Sequence, residues 1–220
     1  MTVKNALIIG CGSLYGKDLS ESLKNKGYNI YGISGTTTTD PNTLTVDWNT
    51  CAIPDFEKFL RKLPDIDLIV FNQNSPALTD DYIKLGSVDI FEVWRRAKKW
   101  NQSHYVNCIL PTHLLHTLVL TNKVNDHTCI TWILSTSMFG KNPLSPVDYV
   151  GQKYQNHAMM KTLALHNSQI FVGIHPGKID VDNSVKKAKD LADFLFNNNK
   201  ECSGKLFCQT DNGIIEYQSG

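Results

Sequence analysis

The stretch VDYVGQKYQNHAMMK (147–161) sets Tyr149 and Lys153 four residues apart. Read as a helix, it turns phenol and ammonium to the same face. A free tyrosine titrates near about 10, too high for efficient proton exchange at neutral pH. A neighbouring cation favours phenolate and lowers that value, so the pair could pass a proton to or from a substrate oxygen. Such a pair also arises by chance in a chain with this many tyrosines and lysines, so the rest of the chain must demand it. A second candidate is the turn IGCGSLYG, with Gly10, Gly12 and Gly16 between an apolar run and a helical pattern. Glycines there let backbone approach a pyrophosphate, and a helix N-terminus favours its charge. The same residues would also serve a tight turn that binds nothing.

The elements that must position these residues alternate. An apolar run ending at Ile9 leads through the glycines into a helix carrying Leu19 and Leu23, stopped at Gly27 and followed by the strand YNIYGIS. LTVD (44–47) is a brief strand, and residues 53–63 suit a helix burying Ile53, Phe56, Phe59, Leu60 and Leu63. DLIVFN (67–72) and CITWILS (129–135) are near-continuous apolar strands, as expected where helices cover both faces of a parallel sheet. A long apolar helix over 103–120, a helix over 149–166, the strand IFVGIH, a polar helix around 184–197 and a last strand near KLFCQ complete the order. This pattern predicts one α/β domain spanning 1–220, with a doubly wound parallel sheet in three layers.

The chain has 220 residues, 41% hydrophobic, with 22 basic and 21 acidic side chains for a formal net charge of +1. That balance argues against a nucleic-acid or membrane surface as the main partner. The apolar run near the N-terminus is too short for a signal-peptide core or a bilayer span, so a soluble, cytoplasmic protein is expected. The 6 cysteines show no Cys-x-x-Cys and are expected as small buried residues. No metal site is expected, although His113 and His116 share a helical spacing. WRRAKKW (94–100) suits a solvated helix face with Trp100 packed beneath the long helix.

The ordered landmarks make the chain resemble a short-chain dehydrogenase/reductase, an atypical small one, across nearly its whole length. IGCGSLYG overlays the family's T-G-x-x-x-G-x-G turn through Gly10 and Gly16, with Ile9 for the threonine and Leu14 for the middle glycine. FNQNS (71–75) stands where the family has N-N-A-G, HYVNCILP where it has its catalytic asparagine, and LSTSMFG where it has S-x-x-G. IHPGKIDV matches the Pro-Gly step and SGKLFCQTDNG the closing strand.

The resemblance implies a Rossmann-like fold and hydride exchange between a nicotinamide and a carbonyl or alcohol. Tyr149 would be the acid/base, and Lys153 would tune it and hold the nicotinamide ribose. Ser137 would polarise the substrate carbonyl, and Asn107 would hold a water linking Lys153 to solvent. Cofactor contacts would come from Gly10, Gly12, Ser13, Leu14, Gly16, Ser34, Gly35, Asp47, Trp48, Asn72, Lys153, Pro176, Gly177 and Ile179. Asp47 matches the acid that contacts the adenine ring. No acid precedes Asp40 after the second strand, and Ser34, Gly35 and Thr36 would tolerate a 2′-phosphate that an acid would repel. NADP(H) is therefore favoured, with Lys17 in support, and NAD(H) is possible.

Family members assemble as homodimers or homotetramers through the helices of Asn107 and Tyr149. The segment after Pro176–Gly177 is too short for the usual substrate lid, which implies an open pocket for a small-molecule or carrier-bound carbonyl or alcohol. His175, at that strand end, is a candidate substrate contact. A non-redox binding module on the same scaffold, or an isomerase or dehydratase using the same Tyr–Lys pair, fits the same residues.

Overall fold

The structure, a computed structural model, describes residues 3–47, 53–74, 90–139, 147–197 and 200–217. Its strands are β1 (Lys4–Ile9), β2 (Tyr28–Ser34), β3 (Thr43–Thr45), β4 (Leu68–Phe71), β5 (Cys129–Ile133), β6 (Ile170–His175), β7 (Leu206–Thr210) and β8 (Gly213–Glu216). Its helices are α1 (Leu14–Lys24), α2 (Ile53–Arg61), α3 (Ile90–His104), α4 (Leu110–Leu120), α5 (Val147–His166) and α6 (Ser184–Phe196). Among the described residues, eight strands form one sheet, ordered β3-β2-β1-β4-β5-β6-β7-β8. β1 through β7 pair in parallel, and β8 returns antiparallel on β7. This is a doubly wound, Rossmann-like α/β sheet.

The three layers follow from strand periodicity. In β1, Leu7 and Ile9 face one core with Phe56, Leu60, Leu114, Leu118 and Met160. Ala6 and Ile8 face the other, with Leu19 and Leu23 of α1 and Leu191 and Leu195 of α6. Both faces of β1 are apolar because helices cover both, the condition a parallel sheet imposes. Trp132 stacks on Phe71 at 4.9 Å and on Phe171 at 6.3 Å, a row of rings across β4, β5 and β6.

The structure departs from the sequence expectations in three places. β8 is an extra strand, formed because Gly213 (φ +117) lets the chain reverse after Thr210. The single long helix is divided: α3 passes through a π-helical turn (Tyr105–Ile109) into α4. Pro111 supplies the reason, since it lacks the N–H that would bond the carbonyl of Asn107 and its ring crowds that carbonyl. Trp100 is exposed and stacks on His104 instead of packing beneath the helix. α4 turns Leu110, Leu114, Leu115 and Leu118 into the chain's own core, leaving Ile109, Val119 and Leu120 outside. Cys108 and Cys129 are buried, and Cys11, Cys202 and Cys208 are half-buried. Among the described residues, no helix is long and apolar enough to cross a membrane.

Candidate active site

Strand order reverses at β1, with β2 on one side and β4 on the other. The helices flanking that point leave opposite faces, so the C-terminal strand ends open into a crevice. A cavity of 630 Å³ lies there. Its walls are the glycine turn with Gly10, Gly12, Ser13, Leu14 and Tyr15, then Ser34, Gly35 and Thr36 after β2, and Asn72, Gln73 and Asn74 after β4. Ile133, Leu134 and Ser135 at the end of β5, Tyr149 and Lys153 of α5, and His175, Pro176, Gly177 and Ile179 after β6 complete them.

The glycines are required by close approach. Gly10 has φ +87, and a Cβ there would meet the backbone of Asn72 and Gln73 at 2.8–2.9 Å. A Cβ on Gly16 would stand 2.2 Å from the carbonyl oxygen of Gly10, so Gly16 lets α1 pack under the turn and lies outside the cavity wall. Ser13 caps α1: its Oγ accepts from the Gly16 N–H at 3.1 Å and donates to the Gly10 carbonyl at 3.0 Å. Asn72 Nδ2 donates to that carbonyl at 3.2 Å and to Ser13 Oγ at 3.0 Å, so its amide locks the turn. Leu14, the first residue of α1, is 46% exposed at the cavity wall.

At the far end, Lys153 Nζ stands 5.6 Å from the Tyr149 ring centroid. Lys153 is buried and donates to the carbonyl of Ile133, the last residue of β5, at 2.8 Å. Burial lowers its pKa from 10.5 to about 8, with Cys108 opposing. It therefore remains mostly cationic at neutral pH. Tyr149 behaves differently from the sequence expectation. Burial raises its hydroxyl above the ordinary value of 10, and a hydrogen bond with Ser135 offsets this only in part. Desolvation outweighs that bond, and Tyr149 is a protonated phenol able to donate.

The serine at the Tyr149 hydroxyl is thus Ser135. Ser137, expected to polarise a substrate carbonyl, is buried off the cavity wall in the 3₁₀ turn Thr136–Phe139, its N–H donating to Ser135 Oγ at 3.2 Å. LSTSMFG offers two serines two residues apart, and only the turn after β5 separates their directions.

Asn107 is also away from the cavity wall. Its amide donates to Gln152 Oε1 at 2.7 Å and Ser103 Oγ at 3.2 Å. Its backbone carbonyl, released by Pro111, accepts from Asn156 Nδ2 at 2.8 Å. The π turn and α5 are therefore joined by side-chain amides. Asp47 is exposed past β3, outside the cavity wall, and Trp48 lies outside the described residues. The sequence reading missed Tyr15, Gln73, Asn74 and Ser135 as wall residues; Gln73 and Asn74 stood legibly beside Asn72 in FNQNS.

Beside this crevice, a second cavity of 590 Å³ is lined by Cys11, Gly12, Lys17, Ser20, Lys24, Ser34 and the threonines 36–39, with Glu21 and Asp40 also present. Among the described residues, no three His, Cys, Asp or Glu side chains converge as a metal site.

No protein-family model matches the chain, and no curated protein does. Solved structures match over nearly its whole length. A short-chain dehydrogenase family protein from Francisella tularensis subsp. tularensis SCHU S4 is 18% identical, with a TM-score of 0.71, over 94% of this chain and 97% of that one. BdcA, solved in complex with NADPH, is 15% identical, with a TM-score of 0.73, over 94% and 93%. A 3-oxoacyl-[acyl-carrier protein] reductase from Brucella melitensis, solved in complex with NAD, is 14% identical, with a TM-score of 0.71, over 94% and 96%. The fold is therefore the one found in short-chain dehydrogenases and reductases.

Proposed function

We propose that this protein is an NAD(P)-dependent oxidoreductase that interconverts a carbonyl and an alcohol, with Tyr149 as the acid/base. The observation that carries the reading is the meeting of Lys153, Tyr149 and Ser135 at one end of a crevice whose other end is a glycine turn at a helix N-terminus. In this reading Gly10–Tyr15 would hold the phosphates of a dinucleotide and Tyr149 would border its redox-active ring, which would supply hydride exchange. Ser135 donates to the substrate oxygen, Tyr149 gives it a proton as negative charge develops, and the Lys153 cation stabilises the phenolate left behind.

NADP(H) is the favoured cofactor, with NAD(H) possible. Ser34, Gly35 and Thr36 carry no charge that would repel a 2′-phosphate, and Lys17 and Lys24 line the adjoining cavity. The substrate is a small-molecule or carrier-bound carbonyl. An open crevice, with residues 181–183 turning directly into α6, suits a large substrate better than a sealed one does. The Brucella reductase, whose substrate class is carrier-bound, supports the same choice. Assembly as a homodimer or homotetramer through α4 and α5 would cover Ile109 and Tyr154, both exposed here.

One observation favours a second reading, a nucleotide-sensing module without turnover: Leu14 sets an exposed apolar side chain where a pyrophosphate would approach. A screen of carbonyls with NADPH and NADH decides, with Tyr149→Phe as control. Turnover lost by about 10²- to 10⁴-fold in the variant, with cofactor affinity kept, supports catalysis by this hydroxyl. Binding without turnover of any carbonyl supports the sensing module. Clearly tighter NADH than NADPH binding overturns the cofactor preference.

A further inference from the structure

The residues after β6 form the crevice wall at the ring end, yet Pro176–Ile179 belongs to no helix or strand. One cation, from behind, bonds two of its carbonyls. Lys187, on α6, donates through Nζ to the carbonyl of Pro176 and, at 2.8 Å, to that of Lys178. Between those two residues Gly177 has φ +71, and a Cβ there would stand 2.9 Å from the Lys187 nitrogen. Asn183 Nδ2 gives the Lys178 carbonyl a second donor at 3.2 Å.

The ammonium's own backbone is braced in turn. Gln209 Nε2 donates to the Lys187 carbonyl at 2.6 Å, and Gln209 Oε1 accepts from the Tyr15 hydroxyl at 3.4 Å. Tyr15 belongs to the cavity wall, so the chain of contacts runs from the glycine-turn side through β7 and α6 to the ring-end wall.

Two carbonyl dipoles converging on one point repel each other unless a cation sits between them. With the cation present, both bonds are charge-assisted and the turn has one arrangement. We propose that Lys187 is a positioning residue for the crevice: it holds Pro176–Ile179 as a preformed wall for the ring half of a dinucleotide, where a closing lid would otherwise order that wall on binding. This rests on the dinucleotide reading above.

Calorimetric titration with two probes tests it. NADPH spans the crevice, whereas adenosine 2′,5′-bisphosphate reaches only the end near Ser34 and the glycine turn. Lys187→Met should weaken NADPH binding by about tenfold and change bisphosphate binding by less than about twofold, the size expected from losing charge-assisted bonds that preorganise only one half-site. Gly177→Ala, which pushes the ammonium away, should do the same, and Lys187→Arg should restore most of the affinity. If Lys187→Met fails to fold, judged by its thermal melt, Gly177→Ala and Lys187→Gln carry the comparison with the same expectation. Unchanged NADPH affinity in these variants, or equal loss for both probes, overturns the proposal. A wild-type protein that binds neither NADPH nor NADH overturns the dinucleotide reading first and this inference with it; if NADH alone binds, it replaces NADPH in the same titrations.

Discussion

Replacing Lys153 by methionine tests the electrostatics of the proposed centre without any knowledge of the substrate. The folded protein holds this ammonium at about 8, against an ordinary 10.5, because burial penalises the charge. Its folded value is depressed, so below about pH 8 both folded and unfolded states carry the proton and the penalty is constant. Between about 8 and 10.5 the unfolded chain keeps the proton while the folded one loses it, so stability rises with pH in that window. The span corresponds to about 3 kcal/mol at about 1.4 kcal/mol per pH unit, of which about 2 kcal/mol accrues between about pH 7 and pH 9.5. Methionine cannot titrate, so the stability of wild type relative to Lys153→Met should rise by that amount. The hydrogen bond to the Ile133 carbonyl is lost at every pH and drops out of the difference. Groups not coupled to Lys153 are common to both proteins and cancel, whereas Cys108, which faces Lys153, adds to the difference. Urea unfolding of both proteins without cofactor, at a series of pH values, measures the difference. A flat difference across that window would refute the assignment of Lys153 as a buried, desolvated cation.

The remaining predictions concern the serine choice and the glycines. Ser135→Ala should lower kcat/KM at least about tenfold, as loss of one oxyanion donor does, while Ser137→Ala should cost clearly less in the same assay. Gly16→Ala should destabilise the fold by at least about 2 kcal/mol in chemical unfolding, because its Cβ would overlap the Gly10 carbonyl. Gly151→Ala, in α5 with nothing within 4 Å of the added Cβ, should instead stabilise it by about 0.5–1 kcal/mol. Leu14→Gly should tighten NADPH binding several-fold by calorimetry if its exposed side chain crowds the phosphates; unchanged affinity would clear Leu14 of that role.

Much of the fold was legible in the chain because each layer left its own period. β4 and β5 are continuous apolar runs since both faces are covered, and α2 shows Phe56 and Leu60 on one side because only one face is buried. The glycine turn was legible because close backbone approach leaves few alternatives to glycine at Gly10 and Gly16. The wall residues Ser34, Pro176, Gly177 and Ile179 came from landmarks tied to strand ends, whose side of the sheet the alternation dictates. β8 was not legible, since a four-residue edge strand buries little and has weak periodicity.

The sequence by itself determined which residues could meet: types, order along the chain, and the helical spacing that sets Lys153 over the face of Tyr149. Tertiary structure decided what each then does, because hydrogen bonding and desolvation depend on neighbours far along the chain. It gave the Tyr149 hydroxyl to Ser135 and turned Asn72 to the glycine turn. It also closed the Asn107 carbonyl with Asn156 and enclosed Lys153 deeply enough that burial, more than its nearest charges, sets its proton affinity.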